Sequence, residues 1–170
     1  GRRAAPVISV ARVPIGVGDQ PRIVAVTDSA VWVTNLGSDS VTHIVRDTNE
    51  VEDEIPVADD PRGLAATETD VWVASYAAGR ITRIDAAANR MVAEIPVGGN
   101  PVSVVITDGA VWVADTATDT VIQIDPATNA EVGRIPVGVD PTALATIGTD
   151  VYVSTAGDDM VARIDTTIGE

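Results

Sequence analysis

One unit of 40 residues runs four times through this chain. Trp32, Trp72, Trp112 and Tyr152 recur at that spacing, and so do Pro21, Pro61, Pro101 and Pro141. Four more columns are identical in every copy: Val17/57/97/137, Val31/71/111/151, Val33/73/113/153 and Ile44/84/124/164. No insertion or deletion breaks the register. Helical repeats of similar length would show apolar spacing near 3.6, whereas short apolar runs between turn residues match one four-stranded propeller blade. The expected fold class is therefore all-β, a β-propeller with four four-stranded 40-residue blades per chain.

The second copy reads strand by strand. Gly63 to Thr67 is expected as innermost strand A, Asp70 to Ser75 as B, Ile81 to Asp85 as C and Met91 to Val97 as D. Apolar residues on both parities of strand B (Val31, Trp32, Val33) require cover on both faces, which stacked sheets supply. Pro56, Pro96 and Pro136 cannot donate to a ladder, so strand D belongs at the outer edge. The whole chain is one unit, with repeats at about 18–57, 58–97, 98–137 and 138–170.

The fourth copy reaches Glu170 where its strand D should begin, while Ile15-Gly16-Val17 stands in the register of Ile55-Pro56-Val57. A closing strand over residues 7–17 is expected to complete the last blade and cover its open edge. One chain could close as four blades, or two chains could form an eight-bladed ring. A four-bladed ring needs bulky filling between diverging sheets, and the small residues here favour the second arrangement.

Composition bounds the partners. The formal charge is −14, from 25 acidic and 11 basic residues, which opposes nucleic acid and anionic membranes. All 11 basic residues are Arg, read as a compositional bias of the source. Cysteine is absent, which removes disulfides and thiolate chemistry. No run is long enough for a membrane span, and no membrane insertion is expected. The opening Gly-Arg-Arg-Ala-Ala-Pro, without an initiator Met or a signal-peptide core, is expected of a trimmed or mature fragment.

Copy three gives the sharpest motif, with VWVAD at 111–115, VIQIDPATN at 121–129 and RIPVGVDP at 134–141. These strings resemble the YVTN-type propeller repeats of bacterial surface and exported proteins, over residues 7–170. The resemblance implies a propeller in an extracytoplasmic or secreted setting. Its members serve as sensors, adhesion modules and occasional enzymes. Virginiamycin B lyases look like relatives that need histidines plus a carboxylate near a divalent metal. With His43 as the sole histidine, that pattern carries over to no position here.

His43 is read as a variable polar slot in strand C, sharing its column with Arg83, Gln123 and Arg163, because residues of one turn rarely converge as a triad. Asp85, Asp125 and Asp165 cap the turns that follow them. Asp39, Asp119, Asp158, Asp159, Asp59, Asp60 and Asp140 form a solvated acidic rim without a calcium-loop pattern. Gly98, Gly99 and Gly138 are turn glycines. No catalytic residue, metal ligand or cofactor is assigned. Arg22 and Arg62 begin inner strands at the channel mouth, where guanidinium groups could bind a carboxylate or phosphate. Asn35, Ser75, Asp115 and Thr155 form the other variable column expected to face that mouth. The expected function is a non-enzymatic binding or scaffold module, a sensor or interaction domain. Its partner is a second copy, or a protein or small molecule at the mouth. The alternatives are a metal-dependent lyase or hydrolase, and a purely structural or engineered self-assembling ring.

Overall fold

The computed structural model describes residues 12–166, which are entirely strand, turn and loop. Blade 1 holds β1 (Pro21–Val26), β2 (Ala30–Asn35), β3 (Ser40–Val45) and β4 (Glu50–Pro56). Blade 2 holds β5 (Pro61–Ala66), β6 (Asp70–Ser75), β7 (Arg80–Asp85) and β8 (Arg90–Pro96). Blade 3 holds β9 (Pro101–Thr107), β10 (Ala110–Asp115), β11 (Thr120–Asp125) and β12 (Ala130–Pro136). In blade 4 the described strands are β13 (Pro141–Ile147), β14 (Asp150–Thr155) and β15 (Met160–Ile164). Each blade is an antiparallel meander in chain order. Pro56, Pro96 and Pro136 end β4, β8 and β12, the outermost strands.

Turn chemistry explains the hairpins. The β2–β3, β6–β7, β10–β11 and β14–β15 turns end on left-handed residues, Asp39 (φ 48°), Gly79 (60°), Asp119 (56°) and Asp159 (56°). Asn49, Asn89 and Asn129 play the same part before β4, β8 and β12, with φ of 61°, 49° and 55°. Asp, Asn and Gly tolerate this region far better than branched residues, which is why these types recur there.

The core lies between blades. Blade 1 presents Trp32, Val41 and Ile55 to Leu64, Val71, Val73 and Ile84 of blade 2. Trp72, Ala74, Ile81, Ile95 and Val97 meet Val104, Val111, Val113 and Ile124 of blade 3. Trp112 and Val121 meet Val151, Val153 and Ile164 of blade 4. Each tryptophan is thus the centre of one seam, set against the Val-x-Val strand of the following blade.

Among the described residues, blades 1 and 4 share no such cluster. Val24 on blade 1 is 60% exposed and Val161 on blade 4 is 67% exposed, although their column-mates Leu64 and Val121 are buried. The described residues therefore form an arc whose exposed apolar groups lie on blade 4 at one end and along β1 at the other, where Val33, Thr42 and Ile44 are already buried. Among the described residues the fourth sheet has three strands, because Arg12 to Val17 lies in no strand; residues 7–11 of the expected closing strand lie outside the described residues. The small seam residues Gly63, Ala65, Ala74 and Ala114 set neighbouring sheets close together.

Trp72→Ala removes the largest side chain of the central seam, and by analogy with buried aromatic truncations it should cost about 3–5 kcal/mol. Denaturant unfolding checks this. A loss of less than about 1 kcal/mol would contradict the seam as the source of stability.

Candidate functional site

The variable column at the end of each second strand is buried. Asn35, Ser75 and Asp115 are 0% exposed and Thr155 is 1%. The expectation that these four face a channel mouth is thus corrected. The backbone turns back over the strand end, and each side chain is enclosed beneath the loop that enters its blade. Asp115 shows the arrangement most fully. Its Oδ1 accepts from the amides of Asn100 (2.7 Å) and Ala117 (3.1 Å), and its Oδ2 from the Thr118 hydroxyl (2.8 Å) and the Arg134 guanidinium (3.4 Å). Gly99 passes so close that an added Cβ would collide with the Asp115 carboxylate. Asn35 donates to Ser40 Oγ (3.0 Å) and Thr42 Oγ1 (2.8 Å), Ser75 to the Ala58 carbonyl (2.9 Å), and Thr155 to the Met160 carbonyl (3.3 Å). Ser75 and Asp115 thus hold the entry loops, and Asn35 and Thr155 tie the second strand of their blades to the third.

The two arginines part company. Arg62 donates to both carboxylate oxygens of Asp60 (2.9 and 3.0 Å) and lies over the Tyr76 ring at 3.8 Å. The Asp60 hydrogen bond holds its pKa above the usual guanidinium range. Arg22 is exposed, and no described residue pairs with it. One of the two is therefore engaged and the other is open to solvent.

His43 is also engaged. Its ring stacks on Trp32 at 4.0 Å and 13°, with Nδ1 2.7 Å from Asn89 Oδ1 on the next blade. Glu52 lies 3.3 Å from the same nitrogen. Arg83, one repeat on, sits over Trp72, pairs with Asp70 at 2.7 Å and reaches the Pro126 carbonyl (2.6 Å) and Asn129 Oδ1 (2.9 Å) of the following blade. Position 43/83 thus bolts one blade to the next through an Asn in the neighbour's turn. Sequence reading missed this role for Arg83. The signal was available in two columns, 43/83 and 89/129, that repeat at the same interval.

The acidic rim is structural in part. Asp39 Oδ1 accepts the Asp60 amide, Asp119 Oδ1 the Asp140 amide (both 2.9 Å), and Asp158 the Val139 amide. Among the described residues, no three His, Cys, Asp or Glu side chains come together as a metal-binding group. A polar cavity of about 160 Å³ lies at the blade 1–2 seam, lined by Thr27, Trp32, His43 and Glu68 among others. Trp32 Nε1 is buried there without a partner.

Among solved structures, the chain is similar to Kuenenia stuttgartiensis hydrazine synthase, with a TM-score of 0.82, 20% identity, and coverage of 95% of this chain and 50% of that one. It is similar to the WD40 β-propeller domain of Doa1, with a TM-score of 0.74, 12% identity, and coverage of 86% and 51%. The chain has the β-propeller fold. Virginiamycin B lyase from Staphylococcus aureus matches with a TM-score of 0.71, 16% identity, and coverage of 84% and 50%. This propeller chain spans about half the length of each of these three proteins. No family model and no curated protein sequence matches it.

The propeller's seam bolts also shape its response to acid. Burial raises the Asp70 pKa, but hydrogen bonds from Arg83 and Thr69 outweigh it and hold the carboxyl below the usual range. A carboxyl depressed on folding contributes stability that is present above its unfolded value, near 3.9, and is lost as pH falls through the folded one. Arg83→Ala should therefore flatten this part of the acid unfolding curve and lower stability most above about pH 4. A variant that loses stability equally at pH 7 and below pH 3 would contradict the Asp70 linkage. Asp115→Ala should cost about 1–3 kcal/mol, because it removes a fully buried carboxylate that holds the part-buried Asn100 and Ala117 amides. Thermal unfolding reads that loss, and an unchanged midpoint would contradict it.

Proposed function

We propose that this chain is a non-enzymatic binding or scaffold module, a sensor or protein-interaction domain that presents a rigid propeller surface. One observation carries the reading: the side chains with catalytic chemistry are engaged in fastening the fold. His43 stacks and bridges, Asp115 holds a loop, and Arg62, Arg83 and Arg134 are paired with carboxylates. Such fastening gives a preorganised surface, which lowers the ordering cost of binding. The YVTN-type strings in copy three support placing the module outside the cytoplasm, as for surface and exported proteins.

Arg22 supplies the contact point. It is an exposed guanidinium at the start of an inner strand, suited to a carboxylate or phosphate group. The surrounding acidic rim selects against bulk polyanions and leaves room for a small anion or a single acidic side chain. NMR titration with succinate and with inorganic phosphate should shift the amides around Pro21 to Ile23, and Arg22→Ala should abolish those shifts while the protein stays folded. Shifts that survive Arg22→Ala, or none in the parent, would contradict the site. Calorimetric titration with Ca²⁺, Mn²⁺ and Zn²⁺ tests the metal-dependent lyase or hydrolase alternative. One tightly held ion per chain would favour that alternative over the present reading.

A further inference from the structure

We infer that the two open ends of the arc are the two halves of one interface, and that the occupant of each is a second copy of this chain, giving a two-chain, eight-bladed ring. The chain builds the same seam three times. Shifting those seams by one further repeat brings blade 4 of one copy against blade 1 of another.

The polar bolts carry this furthest. His43 reaches Asn89 and Arg83 reaches Asn129, each on the blade that follows. In the same column Arg163 already pairs with Asp150, as Arg83 does with Asp70. The next-blade acceptors in register are Asn49 Oδ1 and the Arg46 carbonyl of the other copy, corresponding to Asn129 and the Pro126 carbonyl. Asn49 is exposed and holds the same left-handed turn conformation as Asn89 and Asn129.

A second bolt points to the same place. Asp39 and Asp119 each accept an amide of the following blade's entry loop, Asp60 and Asp140. Their carbonyls accept the amides of Val57 and Val137. Asp159 has the same φ of 56° as Asp119. In register, its carboxylate faces the Gln20 amide and its carbonyl the Val17 amide of the second copy.

Apolar groups complete the seam. A groove of about 210 Å³ on blade 4 is lined by Ala143, Leu144, Ala145, Tyr152, Ser154 and Val161. Tyr152 there stands in the tryptophan column, and Val24 of the other copy, in the Leu64 column, is the residue that would fill it. On blade 1, Val33, Thr42 and Ile44 are already buried, so the exposed part of that end is its inner strand, β1. The edge of β15 gains its fourth strand. Val41, Ile81 and Val121 lie opposite Ile55, Ile95 and Ile135, which puts Val161 opposite Ile15 of the other copy. Pro14 then shares the parity of Pro56, whose missing N–H faces away from the ladder. A two-fold axis makes both seams identical, so no edge or apolar end remains open.

The chain has no cysteine, so a disulfide can report the seam without background. Directly opposed residues of antiparallel strands have Cα atoms about 4.5–5.5 Å apart, within disulfide range. Ile15→Cys/Val161→Cys, oxidised in dilute solution, should run as a covalent dimer on a non-reducing gel. A monomer with an internal disulfide would mean closure within one chain, and no disulfide would mean that these strands do not meet; either overturns the inference. Adding Val24→Asp places a charge at a position already exposed in the single chain, so the blades should still form. Cross-linked dimer should fall at least about tenfold with the β circular dichroism spectrum kept. An unchanged yield would also overturn it.

Discussion

The seam between neighbouring sheets is the contact on which everything else depends. Each sheet is apolar on both faces, so no blade can bury its own surface, and stability must come from nearest-neighbour stacking. A tryptophan from one blade against a Val-x-Val strand of the next supplies the bulk of each contact. The order of the chain follows directly, because a seam forms only between a face that offers the tryptophan and one that offers the valines.

Polar groups fix the angle at which those faces meet. On one side of the arc Asp39 and Asp119 hold the amides of the next blade's entry loop, and in blade 2 the Gly79 carbonyl accepts from Val97 and Gly98. On the other, a cation or imidazole stacked on the tryptophan reaches an asparagine in the neighbouring turn. Both sets are directional, so they specify register where apolar contact alone would permit sliding. The proposed binding role rests on the same fastening: His43, Asp115 and Arg83 have their geometry fixed by structural partners. Arg22, by contrast, is exposed on the rim and pairs with no described residue.

Much of the fold was legible in the residues. The 40-residue columns placed β6 at Asp70–Ser75 as expected, and the prolines at 56, 96 and 136 marked the outer strands correctly. The site was less legible. Asn35, Ser75, Asp115 and Thr155 looked like surface positions because they are polar and vary between copies, yet burial there is tolerated since each finds a different partner, on the third strand for Asn35 and Thr155 and on the entry loop for Ser75 and Asp115. Their variety reflects four solutions to one capping problem. The bridge from Arg83 to Asn129 also escaped notice, because a period shows which residues are equivalent but not which equivalents touch across a seam.

The net charge of −14 per chain sets repulsion against short-range seam contacts, and salt screens the first far more than the second. The central claim is that the stack of seams continues from one copy into another. Light scattering on the unmodified protein at physiological ionic strength tests it most directly. A mass of two chains, twice 17.5 kDa, is the result this account requires. A stable species of 17.5 kDa at every accessible concentration would contradict it.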